Sequence, residues 1–222
     1  MYAEYQTDRD GHAIFRTVSP GVYLFGTHNL NADLSIPIRE QIQVGGRLLE
    51  QTYVRYFVQI DPSRRFPRVS INGRTGEAID FQNGRVGDGT TIGLNATLRP
   101  TDRLEVLLNT TRQWLDVDDR EVSGRLFTAD VQRLKATYSF SAKSLLRVIG
   151  QYVKVESDPD LYNFDVDRTN GDFLGSILYS YKLNWQTVLF AGYGDNRVLN
   201  DEENLLATDR SFFVKVSYAV HR

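Results

Sequence analysis

The sequence predicts an all-β chain, an antiparallel up-and-down transmembrane β-barrel of 10 or 12 strands. Three observations predict it: apolar side chains alternate with period two up to the C-terminus, long and short connections alternate, and aromatic residues sort to the strand ends.

The alternation is clearest in the C-terminal half. Phe212, Val214, Val216, Tyr218 and Val220 point one way, and Phe213, Lys215, Ser217 and Ala219 the other. Trp185, Thr187, Leu189, Ala191 and Tyr193 form one face of the preceding strand, and Phe173, Gly175, Ile177, Tyr179, Tyr181 and Leu183 one face of the strand before it. Leu146/Val148/Gly150/Tyr152, Leu134/Ala136/Tyr138/Phe140, Leu104/Val106/Leu108/Thr110 and Ile92/Leu94/Ala96/Leu98 repeat the pattern. Strands of about nine to twelve residues follow, longer than the usual soluble strand.

The connections 194–210, 156–171 and 115–125 read as long, while 183–184, 141–143 and 99–102 read as short. A meander whose two ends face different surroundings produces this sorting, and outer-membrane barrels pair short periplasmic turns with longer outer loops. Aromatics lie at both ends. Phe140, Tyr181, Trp185 and Tyr218 flank short turns, whereas Trp114, Tyr152, Phe173, Tyr193 and Phe212 flank long loops. Phe173 and Tyr181 are separated by eight positions on one face. At about 3.3 Å per residue and a tilt of about 40°, that spans roughly 20 Å, close to the height of an apolar band with aromatic girdles.

The N-terminal part is less regular. Leu34, Ile36, Ile38, Ile42 and Val44 alternate, as do Val54, Tyr56, Val58 and Ile60. Val69/Ile71 and Ile79/Phe81 are shorter pieces around Asn72-Gly73 and Asn83-Gly84, which read as turn dipeptides. The count is 12 if these pieces span and 10 if they form a raised hairpin. Residues 1–19 read as a lead-in segment rather than a strand, and 20–222 as the barrel.

Composition fits the same class. The 222 residues carry 12% aromatics, a net charge of −2 and no cysteine, which removes disulfides, thiolate metal sites and Cys nucleophiles. The near-neutral charge gives no general attraction to nucleic acid. No apolar run reaches the roughly 18 residues of a membrane helix. A mean hydropathy of −0.37 suits a barrel, because each strand is apolar on one face only. The N-terminus has no basic region followed by an apolar one, so the chain reads as a mature form or a fragment.

The stretches RLFTADVQRLKATYSFS (125–141), LLRVIGQY (145–152), LYSYKLNWQTVLFAGYGD (178–195) and SFFVKVSYAV (211–220) resemble an uncharacterised bacterial family. In that family a C-terminal barrel follows a carbohydrate-binding family-9-like module, and the resemblance covers roughly residues 90–222. It implies a location in the bacterial outer membrane and, in full-length relatives, an N-terminal β-sandwich module. No such module lies in this chain, so glycan-binding and hydrolase labels do not transfer. The ending Ala219-Val220-His221-Arg222 departs from a terminal aromatic, which leaves Tyr218 as the aromatic of the assembly signal.

The sequence offers no credible catalytic motif: His12, His28 and His221 are scattered, and there is no HExxH, GxSxG or phosphate-cradling glycine loop. The expectation is a chain that is not an enzyme and holds no cofactor. Asp165, Asp167 and Asp172 resemble a calcium loop, but Asn170 stands where the helix-flanked loop needs glycine. Asp116, Asp118 and Asp119 form a second acidic group. Such loops suit solvent, or bridging to lipopolysaccharide through divalent cations.

With the apolar side against lipid, Arg39, Arg55, Arg68, Arg103, Arg133, Lys135, Arg147, Lys182 and Lys215 face the lumen. Asp80, Glu105, Gln59, Asn109, Gln151 and Gln186 join them. A lumen of net positive potential favours anions. The expected function is a passive channel or a membrane anchor, with outer-membrane lipid as the surroundings. The alternative is a soluble β-barrel or sandwich that binds an apolar ligand inside, lined by Phe173, Tyr179, Trp185 and Val214.

Overall fold

The computed structural model describes residues 1–118, 123–200 and 204–219. Asp119, Val220 and His221 therefore lie outside the described residues. Fifteen strands account for nearly all of the regular structure. They are β1 (Tyr2–Thr7), β2 (Ala13–Ser19), β3 (Gly21–Phe25), β4 (Asn31–Ser35), β5 (Ile38–Val44), β6 (Arg47–Gln51), β7 (Tyr53–Ile60) and β8 (Arg68–Asp80). Then come β9 (Arg85–Thr101), β10 (Leu104–Asp118), β11 (Ser123–Ser141), β12 (Ser144–Ser157), β13 (Thr169–Lys182), β14 (Thr187–Leu199) and β15 (Leu205–Tyr218). Every pairing is antiparallel, and the main sheet runs β15-β14-β13-β12-β11-β10-β9-β8-β7-β4-β3. The expected all-β, up-and-down architecture is present, with 11 strands in this sheet rather than 10 or 12.

The remaining strands form a second sheet, β1-β2-β5-β6. Residues 1–19 are thus two paired strands and not a lead-in. The two sheets share their chain: β2 leads into β3 through Pro20, β4 into β5 through Ile36-Pro37, and β6 into β7 through Thr52. Proline cannot donate to a ladder, so each of the first two crossings is a natural break. The row is held by Ile36 N–H donating to Pro20 O at 2.9 Å, Tyr53 N–H to Pro37 O at 3.3 Å and Glu77 N–H to Thr52 O at 2.9 Å. This break line interrupts the period-two pattern that the sequence shows between residues 34 and 44.

Asn72-Gly73 is not a turn. It lies inside β8, and Gly73 pairs with Tyr56 of β7. Asn83-Gly84 does turn the chain: Gly84 N–H donates to Asp80 O at 2.8 Å, and Gly84 has φ of 65°.

The strands β8 to β15 run 13 to 19 residues, longer than expected. The reason lies in cross-strand charge. Above the apolar segments, Arg112 meets Asp130 at 3.8 Å and Arg210 meets Asp195 at 3.9 Å, so pairing continues on a polar surface. The gap expected at 115–125 is consequently mostly strand, since β10 ends at Asp118 and β11 resumes at Ser123. Among the described residues the upper-end connections between these strands include 81–84 and 158–168, and those at the lower end are 102–103, 142–143 and 183–186. The upper end carries the longest of these, but the length alternation is weaker than the sequence suggests.

Candidate functional site

Register, not loop length, defines the two faces of the main sheet. One row runs Ala136, Val148, Ile177, Tyr193, Phe212 across β11 to β15, each residue the partner of the next. Another joins Val58, Ile71 and Leu94 across β7 to β9. These side chains are not sequestered: Ile177 is 46% exposed, Ile71 41% and Val148 40%. Trp185 and Tyr179, which the soluble-barrel alternative places in a core, are 67% and 39% exposed. The apolar face is outward. A contiguous exposed apolar surface of this kind marks a site of contact with membrane or with a partner.

Aromatic residues edge that surface. Tyr152 is the partner of Phe173, and Tyr193 of Phe212, toward the upper end. Toward the lower end Tyr138 meets Phe140 edge to face at 4.9 Å, and Phe140 meets Tyr179 at 6.4 Å; Tyr181, Trp185 and Tyr218 are exposed nearby. Trp114 departs from the girdle. It sits on the upper side of Arg112 and beneath the Arg125 guanidinium, 5.7 Å from its ring centre. It belongs to the charged extension of β10 and β11.

The opposite face carries the polar and charged side chains, interspersed with apolar ones such as Ile149, Leu178, Val188 and Phe190. Ser70, Asn72, Asn95 and Asn109 form an amide ladder across β8, β9 and β10: Asn109 Nδ2 donates to Asn95 Oδ1 at 2.7 Å, and Asn95 Nδ2 to Asn72 Oδ1 at 3.3 Å. Arg133, Lys135, Arg147, Lys182 and Lys215 share this face by register: Arg133 pairs with Gln151, Lys135 with Ile149, Arg147 with Leu178, Lys182 with Val188 and Lys215 with Phe190. Arg55 joins them on β7, where its Nε donates to Ser35 Oγ at 3.2 Å. Arg103 lies in the β9–β10 turn, and Arg68 sits 3.9 Å from Asp61. Arg39 does not belong to this group. It lies in β5 of the second sheet with φ of 49°, and its exposed side chain pairs with Glu50 at 2.7 Å.

Two cavities open on the polar face. The upper one, of about 750 Å³, is lined by Glu40, Gln51, Arg74, Asp80, Gln113 and Asn170 among others. The Arg74 guanidinium stacks 3.8 Å from the Tyr53 ring centre and donates to Gln51 Oε1 at 3.2 Å. Buried Glu40 accepts from Gln51 Nε2 at 2.8 Å. The connection 158–168 folds beside this cavity through long-range contacts: Asn163 N–H donates to Asn83 Oδ1 at 3.4 Å, and Leu161 packs into a small core with Leu115, Val117 and Leu126. Burial pushes the Tyr162 phenol above its ordinary pKa. The lower cavity, of about 760 Å³, includes Arg103, Arg147 and Lys182.

Asp165, Asp167 and Asp172 are not drawn into one ligand set. Among the described residues, the three acidic or histidine ligands whose atoms fall within 4.8 Å of one another are Asp8, Asp10 and His12. They form the β1–β2 hairpin turn, and the Asp-x-Asp-x-His spacing is its signal in the sequence, where His12 stands apart from the other two histidines. Asp8 Oδ1 accepts from the backbone N–H of Asp10 at 2.9 Å and of His12 at 2.8 Å, so it serves as the turn's internal acceptor.

No family model matches the chain, and no curated protein matches it. Among solved structures, OmpT (in-vitro folded), an outer membrane protein of Vibrio cholerae, is similar with a TM-score of 0.46 and 14% identity over 95% of this chain. The chain spans 65% of that protein's length. The expectation that the chain is not an enzyme is corrected here: the likeness to OmpT lends it no support, and it is withdrawn.

Proposed function

We propose that the chain forms the wall of an outer-membrane β-barrel whose polar face lines a channel. The observation that carries this reading is the inversion of its faces: a continuous exposed apolar surface on one side and Arg, Lys, Asn and Gln on the other. Lipid accepts the first, and a Lys or Arg turned to the bilayer midplane would cost about 2–4 kcal/mol, so the second belongs to a wetted lumen. Hydrocarbon tolerates only paired backbone, so this reading requires β3 and β15, the two ends of the main sheet, to be joined or covered. The excess of Arg and Lys on the polar face favours anions over cations. Acidic residues near the upper end, such as Asp165 and Asp167, suit contact with lipopolysaccharide through divalent cations.

Refolding with and without detergent, followed by cold and boiled SDS gels, tests the barrel. A detergent-dependent β-rich species that shifts on boiling supports it, whereas a monodisperse protein in plain buffer contradicts it. Planar-bilayer conductance then separates a channel from an anchor with a filled lumen, since the anchor gives no steps.

A further inference from the structure

We infer that the lower mouth of the polar face holds a binding site for a multiply charged oxyanion of the phosphate type, carried by a soluble solute. The inference rests on the reading of that face as a lumen.

Its basis is an uncompensated set of cations around one cavity. Arg103, Lys143, Arg147 and Lys182 line the space of about 760 Å³, interleaved with Ser139 and Ser180, and no carboxylate lines it. Backbone pairing fixes their neighbourhood. Lys182 N–H donates to Lys143 O at 2.7 Å, and Ser139 N–H donates to Arg103 O at 2.8 Å. Ser139 pairs with Leu145 and Leu145 with Ser180, so the hydroxyl and cationic positions fall in adjoining rows of β11, β12 and β13. Among the described residues none of these four cations makes an ion pair. Two carboxylates lie nearby: Asp102, beside Arg103 in the β9–β10 turn and outside the cavity lining, and Glu105, held by Arg99, which donates to its Oε2 from Nε at 2.9 Å and Nη2 at 2.8 Å. Arg147 adds an independent sign, because its Nε is buried without an acceptor.

Like charges on neighbouring strands repel, and a buried guanidinium N–H without an acceptor costs free energy. An oxyanion relieves both. Its several oxygens meet the planar Arg147 fork, a compact lysine charge and serine hydroxyls together, which a single spherical halide does not. A phosphate on a lipid headgroup carries the same chemistry, but this cavity lies on the face opposite the apolar surface, so a solute is its occupant.

The test is calorimetric titration of the refolded protein, in a non-ionic detergent, with sodium pyrophosphate against sodium chloride at matched ionic strength. Pyrophosphate is expected to bind, and R147Q/K182Q to weaken it by about ten-fold or more, the scale of one or two charge-assisted hydrogen bonds. R55Q, on the same face but far along the sheet, is expected to change it less than about two-fold. Equal affinity in R147Q/K182Q overturns the site, as does binding to phosphatidylglycerol vesicles with none to pyrophosphate. A protein that shifts on boiling yet ignores pyrophosphate overturns the site and leaves the barrel standing. A protein that folds without detergent overturns the barrel, and its response to pyrophosphate still decides whether Arg147 and Lys182 hold an oxyanion.

Discussion

Tyr56 lies across Gly73: the two are partners on β7 and β8, and a Cβ at Gly73 would stand 2.5 Å from the Tyr56 Oη and 2.7 Å from its Cζ. The same added atom would run into the Thr91 carbonyl of β9, which is backbone and cannot move aside. Gly73→Ala is therefore expected to destabilise the sheet by about 1–3 kcal/mol, as overpacking does. Thermal or urea unfolding in detergent measures it, and an unchanged midpoint would show that the ring and backbone yield freely.

The Asn83-Gly84 turn depends on Asp80. Its nearly buried carboxylate accepts from the N–H of Gln82 and Asn83 at 3.2 Å each, from Asn83 Nδ2 at 2.7 Å and from Arg85 Nε at 3.0 Å. Asp80→Ala leaves a mostly buried guanidinium without its counter-charge, at a cost of about 3–5 kcal/mol. Asp80→Asn, which keeps an acceptor, is expected to cost less. Equal losses in the two variants would mean that the charge contributes nothing.

Arg39 pairs with Glu50 in the second sheet and does not line the polar face. Arg39→Glu is expected to leave ion selectivity in planar bilayers unchanged. Arg147→Glu with Lys182→Glu is expected to move it toward cations. A shift caused by Arg39→Glu would contradict the placement of that side chain away from the polar face.

The β1–β2 turn makes a pH prediction. The backbone N–H of His12 beside Asp8 holds that carboxyl below its ordinary range, with the Asp10 N–H adding to it. A depressed folded pKa gives stability that is present above the unfolded value of about 3.9 and lost as pH falls through the folded one. Carbon-13 shifts of Asp8 should then titrate below that of an unstructured aspartate, and the turn amides of Asp10 and His12 should move with it. Titration at or above the ordinary value would remove the hydrogen bonds from the account.

The parts of the fold visible in the sequence are those where one physical rule acts alone. From β9 to β15 one side of each strand is mainly apolar and the charged residues fall on the other, so Leu146/Val148 and Arg147 take opposite faces on the sequence alone. Near the N-terminus two rules compete. Pro20 and Pro37 bend continuous chain from one sheet into another, so Ile36, Ile38 and Ile42 do not continue a single face, and Arg39 reverses its placement. Asn72-Gly73 carries turn chemistry in its residue types, yet the glycine is there to pass beneath Tyr56, a contact between strands that no local pattern encodes. Trp114 looks like a girdle residue only if β10 ends beside it, whereas the strand continues to Asp118. The lower cavity was half legible: Arg103, Arg147 and Lys182 were assigned to its face, but their convergence with Lys143 follows from turns that only the register fixes.

Cysteine labelling across adjacent strands tests the central claim most directly, since the chain has no cysteine of its own. Spin labels placed singly at 146–149 and 176–179, in lipid vesicles, report collisions with oxygen in hydrocarbon and with a nickel chelate in water. Labels at Leu146, Val148, Ile177 and Tyr179 are expected to favour oxygen, and those at Arg147, Ile149, Ser176 and Leu178 the chelate. Reversed preferences, or no alternation, would contradict an apolar face in lipid and a polar face around water.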